Sequence, residues 1–122
     1  MKISPIGQER RRSPRLPLNL PFEYQFERAP YPHGGIVVNA SKVGLLIQSV
    51  KNISVGTRLT IGVLFPRGFE LTSFRLFGEV VWKDLHWEKD WEGFHYGLKI
   101  IRILEEDHRK LGQLLSRRYP LG

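Results

Sequence analysis

The sequence contains no cysteine. That absence excludes disulfides, thiolate nucleophiles and Cys-ligated zinc or iron–sulfur centres, and it fits a reducing compartment. No apolar run approaches the roughly 20 residues that a membrane-crossing helix needs. Met1 to Arg15 holds no apolar stretch of the kind a secretory signal carries. We therefore expect a soluble, cytoplasmic domain with no membrane insertion. Metal-ligand spacing is missing too. His33, His86, His95 and His108 form no HxxxH or HExxH pair, and His86, Glu88 and Asp90 sit among Trp and Lys in a segment read as a loop. There is no GxSxG elbow, Walker loop or GxGxxG, and Ser41 has no identifiable base. No catalytic residue, metal or cofactor is assigned, and an enzyme is not expected.

What is present is ordinary for a small globular domain. The 122 residues are 41% hydrophobic and 25% charged, enough for one modest core. The formal charge of +7 is unevenly placed. Residues 1–15 carry Lys2, Arg10, Arg11, Arg12 and Arg15 against Glu9, a net +4. Residues 16–98 are neutral, and residues 99–122 carry +3. A polymer-binding surface would spread basic groups over the body. Four arginines within six positions instead read as a basic arm or a device for a small polyanion.

Periodicity gives the architecture. Leu18, Leu20, Phe22, Tyr24 and Phe26 alternate with polar residues and Pro21, a half-buried strand. Pro21 cannot donate to a ladder and predicts an edge or a bulge. Arg28 to Gly35, with Pro30, Pro32 and Gly34-Gly35, reads as a loop. Strands follow at 35–39, at 43–48 and at Leu59 to Phe65. The next, long strand puts Phe74, Leu76, Gly78, Val80 and Trp82 on one face, with Gly78 marking a bend. Leu85 to Gly93 reads as irregular, and 94–101 as the last strand. Residues 105–118 read as a helix, with Leu104, His108, Leu111 and Leu115 as its apolar stripe and acids in its first turn. The expected fold is all-β dominated: a small six-stranded antiparallel barrel with one C-terminal helix. Residues 1–15 form a basic arm ahead of it, and 16–122 the barrel with its helix.

Two motifs carry chemistry. Arg11-Arg12-Ser13-Pro14-Arg15 sets two guanidinium groups four residues apart, just before the first strand. Each is a permanently charged planar fork that matches phosphate oxygens or a guanine edge and can stack on a purine. Asn39-x-Ser41-x-x-Gly44 lies on a strand-to-strand turn. Its short polar side chains can address a ligand, and its glycine allows positive φ or close approach to the backbone. An ordinary Asx-turn would have the same residues.

In this order, RxxxR then [D/N]xSxxG, the two motifs resemble the signature of the PilZ domain family, bacterial receptors for the second messenger cyclic di-GMP. Gly78 to Trp82 and Tyr96 to Ile100 resemble the family's late barrel strands, and the likeness runs from about Glu9 to Tyr119. The resemblance implies that Arg11 and Arg15 hold phosphates and guanine, that Asn39 and Ser41 address the guanine edge and nearby backbone, and that Gly44 lets the turn fit beneath the ligand. It implies that Arg10 lies against a further guanine of a stacked ligand pair. Trp82 either contacts a base or packs in the core, and Arg12 is either solvated or in contact. The implied function is a signalling module that orders its arginine arm over cyclic di-GMP and alters contact with a protein partner. A PilZ-fold adaptor acting through protein contacts is the alternative. A barrel binding RNA or single-stranded DNA suits the neutral body poorly, so no nucleic-acid polymer is expected.

Overall fold

The structure is a computed structural model that describes residues 16–117. Arg10, Arg11, Arg12 and Arg15 lie outside the described residues. Six strands run in order: β1 (Leu16–Phe26), β2 (Ala29–Ala40), β3 (Gly44–Ser49), β4 (Arg58–Arg67), β5 (Glu70–Glu88) and β6 (Trp91–Arg102). The helix α1 (Glu105–Arg117) follows. Every pairing is antiparallel, and β1 pairs with β4 as well as with β2. The order β1-β2-β3-β6-β5-β4 therefore closes into a barrel.

Closure follows from the alternation. Leu59, Ile61, Val63 and Phe65 of β4 are buried, and the residues between them are not. Phe22 and Tyr24 of β1, Val37 of β2 and Leu45 and Ile47 of β3 meet them inside. Each such side chain contributes about 1.5–3 kcal/mol on burial, and a closed sheet hides them all without a second layer. Pro21 sits just before the β1–β4 ladder begins at Phe22, so its missing N–H costs that ladder nothing. A bulge between Pro17 and Leu20 bends the start of β1, with Asn19 at φ 57°.

Three readings of the sequence are corrected. Arg28 to Gly35 is not a loop; apart from the turn at Glu27 and Arg28 it belongs to β2. Residues 30–32 fall where the β1–β2 register shifts, so its prolines take an irregular stretch. Gly35 does not mark a turn. A Cβ there would lie 2.6 Å from the Phe22 ring and 2.7 Å from the Gln48 carbonyl. Leu85 to Gly93 is not irregular either. It is the far end of a hairpin in which Leu85 pairs Phe94 and Glu88 pairs Trp91. Finally, α1 turns a different face inward. Leu111 and Leu114 are buried, whereas His108 and Leu104 are exposed. The helix is rotated by its polar anchors. The Asp107 carboxylate accepts the Arg75 backbone N–H at 3.1 Å, and Lys110 Nζ donates to the Ser73 carbonyl at 3.1 Å.

Two tyrosines carry hydroxyls into the core. Tyr24 OH and Ser49 Oγ share a hydrogen bond of 2.8 Å. Tyr96 OH accepts the Ile53 N–H at 2.8 Å and donates to the Lys51 carbonyl, fastening the β3–β4 connection to β6. Burial pushes both phenols above the ordinary value of 10.0, the bond from Ser49 partly opposing this for Tyr24 and that from Ile53 for Tyr96. The folded state thus holds these protons after the unfolded chain has lost them. Stability is full below about pH 10 and falls as pH rises past it. Urea unfolding at about pH 8 and about pH 11 checks this, and Tyr24→Phe is expected to flatten the decline.

Candidate functional site

The corner between β2 and β3 holds Asn39, Ser41 and Gly44. Ser41 is buried, and its hydroxyl oxygen accepts the Val43 N–H at 3.3 Å. Its backbone N–H donates to the Gly44 carbonyl at 2.9 Å, which closes the turn. The Ile100 N–H donates to the Val43 carbonyl at 3.0 Å and ties the corner to β6. Gly44 does not have positive φ; among the described residues only Gly56 and Gly68 are glycines that do. A Cβ at Gly44 would stand 2.6 Å from the Leu98 carbonyl oxygen. The glycine is thus required by the approach of β3 to β6, whatever else lies over the turn.

Register extends this corner into a platform. Pro17 of β1 pairs Asn39 of β2, Asn39 pairs Leu46 of β3, Leu46 pairs Gly97 of β6, and Gly97 pairs Trp82 of β5. The neighbours of this row along its strands, Ala40, Leu45, Ile47, Tyr96 and Leu98, are buried. Asn39, Leu46 and Gly97 therefore share the outer surface. Three strand-to-strand steps carry the row about 14 Å from Asn39 to Trp82.

Trp82 corrects another reading. It does not share the inner face of Phe74, Leu76 and Val80. Val80 pairs Leu98 and Trp82 pairs Gly97, so Val81 is one residue too many. That bulge turns Trp82 outward, where it is 39% exposed and its indole packs against Gly97; a Cβ at 97 would stand 2.1 Å from Trp82 Nε1. The bend expected at Gly78 is present as a register shift between Phe77 and Gly78.

Of the sequence-predicted residues, the fold brings Asn39, Ser41 and Gly44 together at one corner and places Trp82 at the far end of the same outer row. The described chain enters at Leu16, which pairs Ala40, so β1 begins beside that corner. Arg10, Arg11, Arg12 and Arg15 lie outside the described residues. Sequence reasoning missed Leu46, Gly97 and Lys99. Lys99 pairs Gly44 on one side and Glu79 on the other, next to the corner. A glycine inside a strand pattern was the one signal for Gly97; nothing local pointed to Leu46 or Lys99.

The PilZ domain family matches residues 9–117 of the chain. No curated protein matches it. Solved structures share the fold. The Bacillus subtilis inhibitor of motility MotI/DgrA is 19% identical, with a TM-score of 0.67 over 89% of this chain and 54% of its own. The PilZ domain of YcgR from Escherichia coli, solved with c-di-GMP, is 14% identical, with a TM-score of 0.66 over 86% of this chain and 88% of its own. The K. pneumonia MrkH–c-di-GMP complex is 13% identical, with a TM-score of 0.61 over 87% of this chain and 51% of its own. This chain thus spans about half the length of MotI and MrkH.

Proposed function

The chain belongs to the PilZ domain family, and from that premise we propose that it binds cyclic di-GMP and acts as a regulatory module. The observation that carries this reading is the register of β1 on β2. Leu16 pairs Ala40 and Pro17 pairs Asn39, so the residue bonded to Arg15 sits beside the Asn39–Ser41 corner. This supports a shared site for two motifs that lie more than 20 residues apart in sequence. YcgR and MrkH, which share the fold, were solved with this ligand.

In this reading Arg11 and Arg15 clamp the phosphates and a guanine, with two permanent charges against the ligand's two. Asn39 and Ser41 present short donors and acceptors to the guanine edge, and Gly44 keeps the turn low beneath it. Trp82 offers an aromatic plane at the far end of the outer row, and Arg10 a further guanidinium for a second, stacked ligand. Arg12 adds charge. The body between the ends is neutral, so attraction is concentrated where the ligand docks. Residues 1–15 act as the arm and the barrel as the platform; ordering the arm over the ligand changes the surface offered to a protein partner.

Isothermal titration of the full chain with cyclic di-GMP tests the proposal. Saturable binding that weakens as salt rises is expected, with the stoichiometry separating one bound ligand from a stacked pair. No saturable heat, or equal displacement by a single-stranded oligonucleotide, overturns it.

A further inference from the structure

The hairpin of β5 and β6 outruns the barrel. Pairing of β4 with β5 stops at Glu79, and pairing of β3 with β6 stops at Phe94. Beyond these points Leu85 to Gly93 is a two-stranded ribbon with no third strand on either side among the described residues. Bare hairpins of this kind are marginal in water, yet this one is braced along its outer face. His86 stacks on His95 with centroids 4.0 Å apart and planes 16° from parallel. His95 Nε2 and Gln48 Oε1 are 3.0 Å apart, and the Trp91 ring lies over Gly93.

On the opposite face Lys83 lies over the Phe94 ring at the base, and two apolar side chains stand exposed nearer the tip. Alternation puts Leu85 and Trp87 there, 49% and 63% exposed. A shallow groove of about 520 Å³ runs round the tip past both. Its rim is acidic in a chain whose formal charge is +7. Glu88, Asp90 and Glu92 line it with Lys89, and the Lys83 ammonium turns back to Asn52 Oδ1 at 2.6 Å; Glu88 Oε2 also lies 3.2 Å from His86 Nε2. The acids in the first turn of α1 have a different account, since they complement the helix dipole. Within the ribbon only Glu88 has such a partner, His86; among the described residues Asp90 and Glu92 form no ion pair.

We propose that this ribbon is a docking arm for a partner protein that presents arginine or lysine side chains flanking an apolar one. Exposed tryptophan supplies anchoring area and a π-face for a cation, and the carboxylates supply pairing at the rim. The braced outer face pre-organises the arm, so little ordering accompanies binding. The same negative charge repels nucleic acid and anionic membranes, which leaves a cationic protein surface as the occupant. The proposal is independent of the ligand site.

The test uses the full chain and two labelled twelve-residue peptides, one alternating arginine with leucine and one with glutamate in place of arginine. Binding of the arginine peptide, with amide shifts confined to the ribbon, is expected, and the glutamate peptide is expected not to bind. Trp87→Ala and the double variant Glu88→Lys with Glu92→Lys change only exposed positions, and each is expected to weaken binding about tenfold or more. Far-UV circular dichroism and the melting temperature verify that the variants fold. Undiminished binding by both variants, shifts elsewhere on the barrel, or no binding to wild type overturns the proposal. So does self-association in sedimentation that the charge-reversed variant abolishes, since the occupant would then be a second copy. Cyclic di-GMP titration of the same variants separates this outcome from failure of the ligand reading.

Discussion

With Arg11 and Arg15 both replaced by alanine, the chain is expected to keep its melting temperature and to lose cyclic di-GMP binding by about two to four orders of magnitude. The size follows from the chemistry removed. A hydrogen bond to a charged group contributes about 1.5–3 kcal/mol, so losing one such interaction from each arginine costs about 3–6 kcal/mol. Each 1.4 kcal/mol is about tenfold in affinity. Lysine at both positions keeps the charge but loses the bidentate fork, and is expected to recover only part of the affinity. Stability is expected to be spared because the variant removes no apolar side chain from the core cluster between Phe22 and Leu114. Calorimetric titration paired with thermal melts decides the matter. Binding that survives the double substitution removes the arm from the site, even if the barrel still takes the ligand.

Tyr96→Phe is expected to do the reverse: destabilise the fold by about 2–4 kcal/mol while the folded fraction binds ligand as before. Tyr96 is fully buried, and its hydroxyl serves two backbone groups at once. Phenylalanine fills the same space but leaves the Ile53 N–H and the Lys51 carbonyl without their partner, and a buried orphan of this kind costs about 1–3 kcal/mol. Ile53 is itself buried, so water does not readily replace the hydroxyl at its amide. Tyr24→Phe is expected to cost less. Its partner Ser49 Oγ still receives the Lys51 N–H at 3.3 Å. Urea denaturation with the slope held in common measures both variants. Equal stability of Tyr96→Phe and wild type would show that the loop between β3 and β4 is not held by this hydroxyl. Together the two experiments separate affinity from stability, because one removes charged groups of the N-terminal motif and the other a buried hydroxyl.

The ribbon illustrates how far local sequence carries. Leu85 to Gly93 mixes Trp, His and charge without a period, and it reads as irregular. It is nonetheless strand, since its pairing is set by the turn at Lys89-Asp90 and by the long ladder below it. Rings also bury backbone that no apolar stripe would cover: Trp91 lies on Gly93 and Trp82 on Gly97. The prolines and glycines of Arg28 to Gly35 mislead for a related reason. They mark close approach and a register shift within β2, not a departure from the sheet.

The sequence by itself determined the strands with clear alternation, the closing helix, the need to hide one apolar face per strand, and the two short motifs. These depend on neighbours one to four residues away, which a linear chain records. The tertiary structure alone decided what the motifs lie beside. The pairing of Leu16 with Ala40 brings the start of β1 to the Asn39–Ser41 corner, and one extra residue at Val81 turns Trp82 from the core to the surface. It also decided that Gly44 answers to Leu98 and that α1 buries Leu114 rather than His108. The register of Leu16 on Ala40, of Gly44 on Lys99 and the bulge at Val81 are set by contacts between residues 15 to 55 apart, and their energy belongs to pairs of strands rather than to either strand alone.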